Sequence, residues 1–159
     1  MEIRMTLQNG KELLKTFRQA PGIAAKEYRV SLERIANNVV ELAQKNAPVN
    51  KGEGGGKRGA GGNLRQSIKR FPYGQTGFVV RVGAEYGVYV DQGTKPHVIV
   101  PRSSPYLVFK TRDGNWVRAQ RVNHPGQKAQ PFFTNAVADT EVYANKEMSD
   151  AMDRVLKSI

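Results

Sequence analysis

Two amphipathic stripes, one near each end of the chain, constrain the fold more than any other feature. Between residues 24 and 46, apolar side chains recur at steps of four, three, four and three, the spacing of one helix face: Tyr28, Leu32, Ile35, Val39 and Leu42. A second stripe, with Pro131 as the first helical residue, passes through Phe133, Val137, Thr140, Ala144, Met148, Ala151, Val155 and Ile159. Because each helix has one apolar face, both need another layer to pack against.

The segment between the two helices has the chemistry of β-strands. Residues 78–82 alternate with period two after a turn at residues 73–77, which predicts a hairpin. Asp113-Gly114 is a strong signal for a second hairpin. The remaining strand-like segments are residues 98–100, 106–110 and 115–122.

These elements predict the α+β class, with a long amphipathic N-terminal helix and a C-terminal helix packed on a four- to five-stranded, mainly antiparallel sheet. We expect a single domain over residues 1–159, because no repeat or shift of composition divides the chain. Three short helical segments are also expected: one after Asn9, one at residues 64–67 capped by Asn63, and one at residues 86–90 closed by Gly93.

The charge is large and unevenly distributed. The 159 residues have a formal net charge of +11, with +8 in residues 1–70, +5 in residues 71–130 and −2 in residues 131–159. Such an excess predicts an acidic partner. The chain has no cysteine, which excludes disulfides and thiolate chemistry. Its longest apolar run is four residues, so we expect no membrane segment and synthesis in the cytoplasm.

A Gly-rich basic segment, residues 51–62, is predicted to be a flexible loop. The loop and its exit carry six cations that are candidate contacts to DNA or to an adjacent ring: Lys51, Lys57, Arg58, Arg65, Lys69 and Arg70. The alternative is a solvated loop whose charges only keep the chain soluble. Phe71 and Tyr73 follow with strand alternation, so we expect them in the core rather than stacked on bases.

Motifs for catalysis and cofactor binding find little support. Gly54, Gly56 and Gly59 fit a dinucleotide-binding spacing but follow a helix instead of a strand. The only histidines, His97 and His124, lack the helical spacing of metal ligands. Asp91 and Glu85 are interpreted as helix-end charges or salt-bridge partners. We therefore expect no enzymatic activity, no cofactor and no metal.

Several segments, taken in order, resemble the head-to-tail joining, or tail-completion, proteins of long-tailed bacteriophages, the minor tail protein Z-like family. The resemblance extends from about residue 24 to 140. It lies in Asn46-Ala47-Pro48-Val49, Asn63-Leu64-Arg65-Gln66-Ser67-Ile68, Tyr86-Gly87-Val88-Tyr89-Val90-Asp91-Gln92-Gly93-Thr94, Pro96-His97-Val98-Ile99-Val100-Pro101, His124-Pro125-Gly126 and Gln130-Pro131-Phe132-Phe133. The long basic loop departs from the family's tight turn.

The resemblance implies a virion structural protein at the neck or upper tail. It implies one subunit of a homo-oligomeric ring, expected to be hexameric, that completes the tail and joins it to the DNA-filled head. Its partners would be neighbouring neck and tail proteins and genomic DNA in the channel. Tyr86 and Tyr89 are expected in the core, with Gly93 making the turn. The structural motif positions are Pro48, Leu64, Tyr86, Tyr89, Gly93, Thr94, Pro131 and Phe132.

Two other functions remain open from the sequence. A nucleic-acid-binding protein could use the basic Gly-rich segment as an arm, with binding that weakens steeply as salt rises. A small hydrolase could use His97 and His124, although no orienting carboxylate can be named.

Overall fold

The computed structural model describes residues 1–4, 22–49, 62–74, 77–111 and 113–158. The basic loop and the short helix expected after Asn9 lie outside these residues. The helices are α1 (Gly22–Asn46), α2 (Asn63–Ser67), α3 (Gly87–Gln92) and α4 (Phe132–Ser158). The strands are β1 (Glu2–Arg4), β2 (Ile68–Tyr73), β3 (Gly77–Val82), β4 (His97–Ile99), β5 (Leu107–Lys110), β6 (Trp116–Ala119) and β7 (Val122–His124).

The two long helices pack against each other in antiparallel orientation. Ser31 in α1 contacts Glu147 in α4, and Asn38, farther along α1, contacts the earlier residue Thr140. Both helices present the faces that the sequence predicts, with Val39 and Phe133 among the most deeply buried side chains. The amphipathic stripes therefore define the helix–helix interface as well as the surface that meets the sheet.

The sheet beneath the helices has three antiparallel strands in the order β1-β3-β2. Its central strand pairs Val80 with Ile3 on one side and with Arg70 on the other. Ile68, Phe78, Val80 and Val82 lie on one face and join the core with α1 and the start of α4. Phe132 and Phe133, the first two residues of α4, close this core from the end of the sheet.

The α+β class and the packing of both long helices are confirmed. Within the described residues, however, the strands do not form one sheet, because β4 pairs with β7 and β5 pairs with β6 in two separate two-stranded sheets. Neither helix covers these four short strands, whose side chains are mostly exposed. The two long helices pack on the three-stranded sheet, whereas the four short strands β4 to β7 lie outside the surface that these helices cover.

Two expectations for residues near β2 are wrong. Phe71 and Tyr73 are exposed and lie on the face of the sheet opposite α1, in register with Val79 and Gly77 of the central strand. Alternation shows that residues share a face but not which face a helix covers. Asn63 is the first residue of α2 and does not cap it. The N-cap position is occupied by Gly62, so no side chain caps this helix by a hydrogen bond.

None of the helices within the described ranges combines the length and apolarity that a membrane crossing requires.

Candidate assembly interface: an anchored arm

The short helix α3 is joined to the start of α4 by one buried carboxylate. Asp91 is only 2% exposed. Its Oδ1 accepts hydrogen bonds from the backbone N–H groups of Phe133 (2.8 Å) and Thr134 (3.3 Å), and its Oδ2 accepts one from the Thr134 hydroxyl (2.6 Å). The first N–H groups of a helix lack intrahelical partners and carry partial positive charge. Asp91 is therefore a helix-end charge of α4, a helix distant in sequence, whereas the sequence indicated the ends of the Tyr86–Tyr89 segment.

Immediately after α3 the backbone turns sharply and begins a long hairpin. Gly93 has φ +74° and ψ −178°, a conformation that is essentially restricted to glycine. A Cβ atom here would lie 2.6 Å from the carbonyl oxygen of Gln127. A Cβ atom on Gly126, which has φ +88°, would lie 2.3 Å from the carbonyl oxygen of Thr94, so both glycines permit the close approach of the two paired backbone segments. The turn expected at Gly93 is confirmed.

Thr94 and Gln127 close the base of this hairpin with backbone hydrogen bonds in both directions, of 2.9 Å and 3.1 Å. The Thr94 hydroxyl accepts a further one from the Gln127 N–H (2.9 Å). Residues 94–127, which we call the arm, are thus fixed at the point where Asp91 holds α4.

The arm is built from two consecutive two-stranded sheets. His97–Ile99 pair with Val122–His124, and Leu107–Lys110 pair with Trp116–Ala119. Its large apolar side chains are unusually exposed, up to 73% for Trp116; the others are Val98, Val100, Tyr106, Val108 and Phe109. These exposed apolar side chains make the arm the candidate interaction surface of the chain.

The two histidines meet across the arm. The rings of His97 and His124 lie 5.0 Å apart on paired residues of β4 and β7. His124 Nδ1 accepts a hydrogen bond from the Gly126 N–H, while His97 Nδ1 lies 2.9 Å from the Lys95 carbonyl oxygen. Within the described ranges no group of three potential metal ligands occurs. The pair contributes to the base of the arm through these contacts.

The two tyrosines of the α3 motif are not in the core. Tyr86 is 48% and Tyr89 58% exposed, so that expectation is wrong. The helix is only six residues long and packs against the core through the buried Gly87 and Asp91, which leaves the tyrosine positions outward. Tyr89 lines an open groove of about 580 Å³ between α3 and the arm, together with Val88, Gln92, Gly93, Thr94, Lys95 and His97.

The six candidate cations separate into three groups. Lys51, Lys57 and Arg58 lie outside the described residues. Arg65 donates to the carbonyl oxygens of Ala47 (3.1 Å) and Lys45 (3.4 Å), so it caps the C-terminal end of α1. Arg70 pairs with Glu33 and Asn37 of α1 and stacks 5.3 Å above Phe78, whereas Lys69 is exposed on the opposite face of β2.

The other motif positions lie at joints of the core. Leu64 and Phe132 are buried in it. Pro48 follows the end of α1, and Pro131 directly precedes α4, where its carbonyl oxygen accepts the N–H of Asn135. Leu64 and Phe132 thus belong to the packed core, and the two prolines flank helix ends. They position the arm and the helices.

A polar network between α1 and α4 was not found from the sequence. Glu147 is buried, and its Oε1 accepts hydrogen bonds from Arg34 (2.9 Å), Ser31 (3.0 Å) and Arg154 (3.1 Å). Burial alone would raise the pKa of Glu147, but the three donors outweigh it and lower the pKa. Arg154 also binds Glu27 at 2.9 Å. In the sequence, this network is indicated only by the position of a charged residue, Glu147, directly beside Met148 of the apolar stripe of α4.

Comparison with known families adds a match that ends at the base of the arm. A family model described as "Bacteriophage HK97-gp10, putative tail-component" matches residues 11–93, about half of the chain. It covers α1, the core sheet hairpin and α3, and it stops at Gly93, one residue before the arm. Comparison with curated proteins and with solved structures gives no significant match.

Proposed function

The chain belongs to the HK97-gp10-like family of bacteriophage tail components, and from that premise we propose that it is a ring subunit completing the tail and joining it to the head. Membership of a tail-component family implies a place in the virion and contact with other tail or neck proteins. The position at the neck, the joining role and a homo-oligomeric, hexameric ring are the proposal. The role is structural and not catalytic.

The family match is the observation that carries this proposal, and the arrangement of the chain supports it. A ring subunit needs a rigid body and a surface that reaches a neighbour. Here a helix–sheet core provides the body, and the arm projects from it with its apolar side chains exposed. Two contacts fix the arm relative to the core. They are the hydrogen bonds of Asp91 to the start of α4 and the close approach of the two backbone segments at Gly93 and Gly126.

Contact with the DNA that passes through such a ring is also proposed. Lys69 is the described cation of the predicted set whose side chain is exposed without being used by the core. Together with Lys51, Lys57 and Arg58 it would line the channel and meet phosphate groups. Arg65 and Arg70 instead support α1, so their replacement tests stability before it tests DNA contact.

Inactivation of the gene tests the joining role. A nonsense codon early in the gene should give filled heads and separate tails in infected cells, because no ring links the two structures. Electron microscopy of the lysate counts joined and unjoined particles, and the natural chain supplied from a plasmid should restore joined particles. Normal numbers of joined, infectious particles without the protein would contradict the proposal.

A further inference from the structure

The docking face of the arm combines apolar and basic side chains. Four exposed side chains of β5 and β6 lie on one face of the hairpin because they belong to directly paired residues: Val108 with Arg118, and Lys110 with Trp116. The arm as a whole, residues 94–127, carries six basic residues and one acidic residue. A two-stranded hairpin is at best marginally stable in water without a partner, and the described helices leave this one uncovered.

The outer face of α4 also exposes apolar side chains, on an element whose net charge is opposite to that of the arm. Val142 is 80% and Leu156 61% exposed, and with Ser149 midway between them they form a stripe of seven-residue spacing on the side away from α1. Residues 132–158 carry five acidic and three basic residues. The outer face consists of the exposed residues Ala138, Val142, Asn145, Ser149, Asp153 and Leu156.

We propose that the docking face of the arm binds the outer face of α4 in a second copy of this chain. The proposal rests on the proposed ring and names the two surfaces that build it. Burial of Trp116 and Val108 against Val142 and Leu156 would remove apolar surface of both copies from water. The opposite net charges of the two elements would steer and orient the contact.

The geometry of this contact favours a ring over a symmetric dimer. The arm and the outer face of α4 are different patches of one chain, so each copy offers both a donor and an acceptor surface. Such heterologous contacts propagate from copy to copy and close when the rotation permits. Duplex DNA is a poorer occupant of the docking face, because phosphate contacts would leave Trp116 and Val108 in water.

Site-specific cross-linking tests the contact, because the natural chain has no cysteine. One full-length population carries Lys110→Cys on the arm, and another carries Ser149→Cys on α4. A short bismaleimide should join the two populations when they are mixed. It should give a ladder of covalent oligomers when both substitutions are in one chain, and no dimer from either population alone. Lys26→Cys, an exposed position of α1, is the matched control and should not join to Lys110→Cys.

Loss of the apolar anchors should weaken the same contact. Trp116→Ala in the arm population should reduce affinity by about 30-fold, as for a central interface tryptophan. Leu156→Asp in the α4 population should do the same without altering the arm. Trp116 is the only tryptophan, so its emission should shift to shorter wavelength on association. A shift caused by duplex DNA and not by the second population would contradict the proposal.

The cross-linking is done on particles from infected cells as well as on purified chain. If particles contain oligomers of the chain but no link between positions 110 and 149, the docking proposal is wrong and the ring remains. A link between two copies of Lys110→Cys would show a symmetric contact and would also overturn it. Absence of the chain from particles would instead contradict the proposed function.

Discussion

Replacement of Asp91 by alanine is expected to lower the free energy of unfolding by about 3 kcal/mol. The buried carboxylate satisfies two backbone N–H groups and one hydroxyl at the start of α4. Loss of a helix-cap side chain costs about 0.5–2 kcal/mol at ordinary positions, and donors that are left buried without an acceptor cost about 1–3 kcal/mol. Because the donors at the start of α4 are buried, the expected loss of about 3 kcal/mol lies at the upper end of the cost of unsatisfied donors. Phe132 and Phe133 sit beside the cap in the core, so the core loses its fixed end as well.

Thermal and urea unfolding of the purified chain measure this effect, with a fall in Tm of about 10 °C expected for a chain of this size. Asp91→Asn keeps one acceptor oxygen but loses the charge, so about half of the loss should remain. Asp139→Ala removes an exposed acidic residue of the same helix and should change stability by no more than about 0.5 kcal/mol. Equal stability of the Asp91→Ala and natural chains would show that the cap is not needed.

Replacement of Glu147 by glutamine is expected to cost about 2–3 kcal/mol at neutral pH. Breaking a buried ion pair costs about 3–5 kcal/mol, and the loss expected here lies at or just below the lower end of that range because the guanidinium groups of Arg34 and Arg154 remain partly in water. The amide can still accept one hydrogen bond, but it cannot balance two cations. Glu141→Gln, an exposed position of the same helix, is the control and should be nearly neutral.

The contribution of Glu147 should depend on pH in a defined direction. Its pKa is lower in the folded chain than in the unfolded chain, so it stabilises the fold fully above the unfolded pKa of about 4.3. The contribution is lost as pH falls through the lowered folded pKa. Urea unfolding from pH 7 to pH 3 should therefore show a constant difference between the natural and Glu147→Gln chains down to about pH 5, and a shrinking difference below it. A difference that does not change with pH would refute the role of this carboxylate.

The helices and the hairpins could be predicted from the sequence because their signals are local. The stripes of α1 and α4, the turn at Gly93 and the hairpin at Asp113-Gly114 each follow from residues a few positions apart. Strand β1 was missed, since two of its three residues are charged and only its pairing with β3 makes it a strand. Local patterns carry no information about such distant pairing.

The surface could be predicted less well than the core. Four aromatic residues have the periodicity of core residues but are exposed: Tyr86, Tyr89, Phe71 and Tyr73. Whether a given face of a strand or helix is buried depends on where other elements pack. Asp91 was expected at the end of the neighbouring Tyr86–Tyr89 segment, but the helix that it caps begins 41 residues later. The Glu147 network joins residues of α1 and α4 that are more than a hundred positions apart, so a charge beside the stripe of α4 does not reveal its partners in α1.

Localisation of the protein in intact particles tests its proposed role most directly. A phage carrying an epitope tag at the C-terminus of this chain, labelled with antibody and gold, should show label at one place on each particle, between the head and the first ring of the tail. The number of labelled particles should rise in proportion to the number of joined particles. Label along the whole tail, at its distal tip, or on no particle at all would contradict a subunit of the ring that joins head and tail.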